Sequence, residues 1–440
     1  MKKLILNLTF LIFVLPCQAK ILYVDVDTPD NNDGSSWTKA YRYLQDALAK
    51  ANSDPRIAEI YVAEGTYRPD ETTAGPSGTG SRGATFRLIN KVALYGGFAG
   101  TETTREQRDW QTNKTILSGD LNDDDVGFKN NGENSYHVVT ANGTNATALL
   151  DGFTITAGNA NGDVWPDDGG GGMNNHDGSP TITNCIFRNN VCFADGGGMR
   201  TWGKSRPKVT NCAFIDNSSK QEGGGMMNGP ASSPTVINCT FRGNSAGEDG
   251  GGMYNNETTN ARVTNCTFIA NTVKLTGGGM YNVNSSRPTL TNCTFSGNTA
   301  GVGGGGISNY KAGAILKNCI FWKNRAPEGK EMYLRSTESE FSSIDVDYCD
   351  VRDGRNGIHL EAAGNSIRWG AGNIDTDPKF ADDQLRLSAG SPCINAGSNS
   401  LVPDGVTTDL DANPRILNGV VDMGAYEFEN PSATQDTNPD

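Results

Sequence analysis

The chain has 440 residues, of which 20% are charged, and a formal net charge of −13. No Lys/Arg run offers phosphate a basic stripe, which argues against a nucleic-acid partner. Glycine supplies 55 residues, well above the usual share of about 7%, but without a Gly-X-Y period, so a collagen-like chain is excluded.

The N-terminus reads Met1-Lys2-Lys3, an apolar run from Leu4 to Pro16, then Cys17-Gln18-Ala19. A basic start, a short apolar run and a small residue predict a secretory signal peptide over residues 1–19, cleaved after Ala19. A lipoprotein reading would instead make Cys17 the first mature residue, but Pro16 fits that signal poorly. No second apolar run of membrane-spanning length follows, so no transmembrane segment is expected after signal removal.

Residues 20–167 read as a cap followed by irregular coils. Ile21–Asp25 has strand character, and Tyr41, Leu44, Ala47, Leu48 and Ala51 form one helical stripe suited to covering an open end. Further strands are predicted at Glu59–Val62, Phe86–Tyr95, Thr115–Leu117, Tyr136–Thr140 and Leu149–Thr156. Between them, Asp120, Asn122 and Asp124 place oxygen ligands at alternate positions, as calcium loops do. Position six of that loop is Asp125 rather than Gly, and no Glu falls at position twelve, so a solvated acidic turn is the competing reading.

Residues 168–331 are periodic. Asn-Cys recurs at Cys185, Cys212, Cys239, Cys266, Cys293 and Cys319, in steps of 27, 27, 27, 27 and 26. A Gly-Gly-Gly-Met motif ends at Met173, Met199, Met226, Met253 and Met280, with Ile307 as the sixth, and Phe-x-x-Asn follows each Cys. Short β runs separated by Asn, Gly and Thr exclude helical and leucine-rich repeats and predict an all-β parallel β-helix of three short strands per coil. Phe, Met and Cys then face the interior, and three Asn per coil serve as corners and stacks. Equivalent Cys on neighbouring coils are spaced at about 4.8 Å with parallel side chains, so a reduced ladder is expected rather than disulfides. Cys192, Cys349 and Cys393 lie off that ladder.

The same period aligns Asp195, Glu222 and Asp249, each just before a Gly triplet. Three carboxylates at coil spacing repel one another, so the column is either solvated or relieved by a divalent cation. One residue past each Met stand Arg200, Tyr254 and Tyr281, which alternation would turn outward, giving exposed tyrosines beside acids, a pattern suited to sugars. A plain solvated face is the alternative. Gly198 to Ser205 matches a phosphate-binding P-loop pattern, but no helix can start inside such a coil, and the match is accidental. The Asn-Cys-Thr sequons at 238, 265 and 292 follow from the Asn ladder itself. The three His residues show no zinc spacing. No nucleophile elbow is present, and no acid cluster with a neighbouring His and Arg-x-Lys marks a glycosidase. Arg200 near Asp195 is the conceivable base of a lyase.

Irregular coils are expected over 332–376, a distinct module over 377–428 and a polar tail over 429–440. The repeat resembles that of the polymorphic outer membrane proteins, with Gly-Gly-Gly-Met for Gly-Gly-Ala-Ile. Tyr23-Val24-Asp25, Asp33 to Trp37, Ile60 to Tyr67, Ser391 to Gly397 and Asp422 to Glu427 resemble the choice-of-anchor Q group. That resemblance implies a right-handed, pectin-lyase-like β-helix, secreted or surface-exposed on a bacterium. The expected function is a non-catalytic adhesive or glycan-contacting rod, with an extracellular polysaccharide or cell-surface component as partner. The alternative is a polysaccharide lyase or glycoside hydrolase. No cofactor is required, and calcium is the one candidate ion.

Overall fold

The computed structural model describes residues 19–429, so nearly all of the expected leader and tail lies outside the described residues. The chain winds as a parallel β-solenoid whose strands stack into sheets of 12, 10, 10 and 6 strands. In a central coil, Met226–Asn228 belongs to one ten-stranded sheet, Thr235–Ile237 to the twelve-stranded sheet, Thr240–Arg242 to the other ten-stranded sheet and Ser245–Ala246 to the short sheet. The register repeats the sequence period: Met226 pairs with Met253, and Phe214 with Phe241.

The period works because each coil presents the same side chain at the same place. Phe187, Phe214, Phe241, Phe268, Phe295 and Phe321 stack with centroids 4.2–4.9 Å apart and planes within 12°. Each such pair adds about 0.5–1.5 kcal/mol beyond the area it buries. The nine described cysteines are all free and buried. Cys349, expected off the ladder, lies on it: the Cys319 amide donates to Cys349 Sγ at 3.3 Å. An inserted loop makes that step 30 residues, which hides the alignment from a 27-residue ruler.

The three Asn columns divide their labour. In the Asn-Cys column, Asn184, Asn211, Asn238, Asn265, Asn292 and Asn318 have φ of 51–53°, the left-handed corner that Asn tolerates. The Asn of Phe-x-x-Asn was expected to turn the chain, but the residue before it does so, at φ 53° for Asp216 and Ala270. The Asn itself is buried and bonds along the stack, Asn217 Nδ2 to Asn244 Oδ1 at 3.0 Å and Asn244 Nδ2 to Asn271 Oδ1 at 2.9 Å. The third column also stacks in the interior, Asn228 to Asn255 to Asn282 to Asn309. Each Gly triplet opens with a left-handed glycine, as at Gly223 (φ 63°), and Gly225 has no room for a side chain, since a Cβ there would lie 2.5 Å from Gly252 O.

A helix at Leu44–Ser53 caps the first coil, burying Leu44, Ala47, Leu48 and Ala51. It begins later than the stripe suggested, because Tyr41 instead bridges Val24. Phe86–Tyr95, read as one strand, is two, Phe86–Arg87 and Ala93–Phe98. Leu149–Thr156 also splits, at Gly152 (φ 86°). Among the described residues no helix is long and apolar enough to cross a membrane.

Candidate functional site

Three places on the solenoid gather polar chemistry. The first is the acidic wall. Gly196 N donates to Glu222 O at 3.0 Å and Gly223 N to Asp249 O at 3.1 Å, so the backbone ladder holds Asp195, Glu222 and Asp249 in one phase, outside the core. All three are half-buried. Burial pushes Asp195 up to about 6, with Arg200 opposing. Burial, then the neighbouring Asp195 charge, pushes Glu222 up to about 7, while a hydrogen bond with Tyr254 opposes. Burial also raises Asp249, although its Oδ1 accepts from Thr276 N (2.8 Å) and Thr276 Oγ1 (2.7 Å).

The tyrosines beside the wall are not an exposed platform. Tyr254 and Tyr281 are only 5% and 4% exposed and pack with Met227, Val283, Trp202 and Tyr310. They do point away from the Phe core, as alternation requires. Stacking at coil spacing then covers each ring with its neighbours, and the two rings lie 5.4 Å apart. Arg200 is likewise 1% exposed and fully engaged: Nη1 on Asp168 Oδ1 (2.8 Å), Nη2 on Pro166 O (2.5 Å) and Nε on Asn174 Oδ1 (3.2 Å). It is not a free base. The Gly198–Ser205 segment forms a strand, Met199–Trp202, and a turn rather than a phosphate cradle.

Sequence reasoning missed two groups at the end of this wall. His137 is buried, with Nδ1 3.0 Å from Gly170 O, and burial pushes it down to about 4. Asp168, the partner of Arg200, precedes four glycines rather than three, so it sits one residue out of the column's phase.

The second place is the acidic loop. Asp120 and Asp124 come together there with Asp125 and Glu133, their ligand oxygens all within 4.8 Å of one another. Asp120 accepts the Asp124 amide (3.2 Å) and the Asp125 amide (3.1 Å). Asn122, the remaining predicted ligand, is exposed. Burial, then the carboxylates of Asp120, Glu133 and Asp124, push Asp125 up to about 6, against a hydrogen bond from Asn134. Among the described residues this is the one group of three or more acidic, His or Cys side chains that converge so closely, and the wall does not. Asp125 and Glu133 were not singled out from sequence, because Glu133 arrives from the far side of the loop.

The third place is a groove that no motif announced. Residues 377–428 fold back on the solenoid. Asn265 Nδ2 donates to Thr408 O (2.7 Å), Asn292 Nδ2 to Asp422 O (3.0 Å) and Asn318 Nδ2 to Ser398 O (3.1 Å). Leu387, Cys393 and Met423 bury an apolar patch against Ile320. Arg415, 1% exposed, pairs with buried Glu427 and donates to Asn265 Oδ1 at 3.1 Å. Where this cover ends, a groove of about 720 Å³ opens over Asn184, Asn211 and Asn238. Trp110 and Gln111 line it as well, as does Gln384 of the returning segment. Exposed Lys208 and the Arg386–Asp411 ion pair line it too, so the groove offers a polar ligand amides, one indole and charges of both signs.

Among solved structures, the crystal structure of pectate lyase Pel9A is similar over 94% of this chain and 97% of that chain, with a TM-score of 0.49 and 14% identity. No curated protein matches the chain. The family model described as "Right handed beta helix region" matches residues 124–286 and 273–369, more than half of the sequence. Its span includes every regular coil, the acidic wall and the open Asn corners, and the chain belongs to the right-handed beta helix family.

Proposed function

We propose that this chain is an exported, non-catalytic β-helix rod of the choice-of-anchor Q type that holds a stretch of an extracellular polysaccharide or cell-surface glycan. The observation that carries this reading is the groove over Asn184, Asn211 and Asn238, whose repeat along the axis matches a polymer better than a compact ligand. Its volume of about 720 Å³ falls within the usual range for ligand sites, roughly 300–1,000 Å³. The leader-like sequence at residues 1–19 and the repeat's resemblance to polymorphic outer membrane proteins support export to the bacterial surface. The net charge of −13 argues against nucleic acid as partner.

One observation favours a hydrolase or lyase instead. Glu222, held up to about 7 beside Asp195, has the proton affinity of a general acid. Against it, Arg200 is consumed by Asp168, Asn174 and Pro166. The test incubates the purified protein with neutral and acidic polysaccharides, following gel retention, reducing ends and unsaturated products. The rod reading expects retention without products, and loss of retention in Trp110→Ala. Products that disappear in Glu222→Gln would replace it with the enzyme reading.

A further inference from the structure

The acidic loop holds more than a cluster of like charges. Asn134 is 1% exposed and reaches the cluster, its Nδ2 donating to Asp125 Oδ2 at 2.7 Å and to Ala157 O at 2.8 Å. Those two bonds fix which end of the amide is nitrogen, because a flipped oxygen would face two acceptors. The remaining end, Asn134 Oδ1, is buried and has no donor. Asp125 Oδ1 and Glu133 Oε1 are also buried without a donor. Three neighbouring residues of this loop thus present acceptor oxygens that no N–H or O–H satisfies. No Lys or Arg among the described residues forms an ion pair with Asp120, Asp124, Asp125 or Glu133; Arg68 pairs with Asp123 and Glu71, and Arg82 Nε donates to the Asn134 backbone carbonyl (2.7 Å).

A hydrogen-bond donor is therefore not what these oxygens await. A hard cation is, because it satisfies several acceptors at once and cancels their repulsion. Ligands held at 2.3–2.6 Å from one centre lie at most about 5 Å apart, and the four carboxylate oxygens here meet that limit at 4.8 Å. All-oxygen ligation with several carboxylates and one amide oxygen suits calcium's flexible shell of six to eight oxygens better than the strict octahedron of magnesium.

We propose that the loop binds one calcium ion through Asp120, Asp124, Asp125, Glu133 and Asn134 Oδ1. The loop spans residues 120–134, with its ends anchored by Arg68 Nε on Asp120 O (2.9 Å) and by Ser135 N on Gly119 O (2.8 Å). Calcium there clamps an irregular coil just ahead of the regular ones. The site stands apart from the groove and does not depend on the glycan reading.

The test is calorimetric titration of the chelator-treated full chain with calcium chloride, alongside melting curves in calcium and in chelator. One equivalent should bind, and the melting temperature should rise in calcium, as for any ligand held only by the native state. Asp125→Asn with Glu133→Gln should abolish binding while melting in chelator no lower than the unmodified protein, since it removes repulsion. Asp124→Asn, an exposed change that leaves the fold intact, should weaken binding at least about tenfold. Asp195→Asn with Glu222→Gln should leave binding unchanged. Absence of calcium binding in the unmodified chain would overturn the proposal. So would binding that survives the loop double variant or is lost with the wall variant.

Discussion

The six Asn corners are one column with two fates. All share the same left-handed φ, and all carry an amide at the same edge of the solenoid. Asn265, Asn292 and Asn318 are spent on the returning C-terminal segment, while Asn184, Asn211 and Asn238 line an open groove. The repeat therefore sets what a corner can offer, and the non-repeating end of the chain decides which corners offer it.

The largest effect expected from breaking this contrast lies on the covered half. Arg415→Ala leaves Glu427 as a buried, uncompensated carboxylate and unties Asn265. It should cost about 3–5 kcal/mol. Limited proteolysis should then cut residues 377–428 while the coils survive, and a resistant segment would show that the pair does not hold the cover down.

Next comes the interior ladder, which both halves share. Asn244 accepts from Asn217 N and Nδ2 and donates to Phe214 O and Asn271 Oδ1. Asn244→Ala strands those groups and should cost about 2–3 kcal/mol in denaturant unfolding.

The wall supplies a pH signature. Glu222 is held up to about 7 when folded, above its unfolded value of about 4.3, so its stabilising contribution is full at low pH and is lost as pH rises through 7. Glu222→Gln should stabilise the fold by about 1–2 kcal/mol at about pH 8, after allowing for its partial exposure, and leave stability unchanged near pH 4, as melting curves at the two values would show. Equal effects at both values would mean that the carboxylate is solvated.

The smallest effects compare the two halves directly. Asn211→Gly keeps the corner conformation and loses only the exposed bond from Asn211 Nδ2 to Asn184 Oδ1 (3.3 Å), so it should cost about 0.5 kcal/mol, mostly chain entropy. Asn265→Gly also loses the bonds to Thr408 and Arg415 and should cost about 1 kcal/mol or more. Equal costs would dissolve the distinction between open and covered corners.

Much of this architecture was legible because stacking turns sequence period into position. The Phe, Met, Cys and first Asn columns fall where a 27-residue ruler puts them, and so do Asp195, Glu222 and Asp249. The ruler failed where burial comes from something outside the coil. Alternation turned Tyr254, Tyr281 and Arg200 outward correctly, but it could not show that neighbouring coils bury the rings or that Asp168 and Pro166 close over the guanidinium. The acidic loop was half legible, since alternating oxygens marked Asp120 and Asp124 while Asp125, Glu133 and Asn134 join only through the loop's closure. The groove was not legible at all, because its boundary rests on contacts such as Asn265 to Thr408, 143 residues apart.

The open corners, on this reading, bind a glycan without changing it. Hydrogen–deuterium exchange on the full chain, with and without a polysaccharide retained by it, tests this most directly. The predicted result is slowed exchange confined to the segments around Trp110, Asn184, Asn211 and Asn238, with the polysaccharide recovered at its original length. Protection centred instead on Asp195, Glu222 and Asp249, or a shortened polymer, would contradict it.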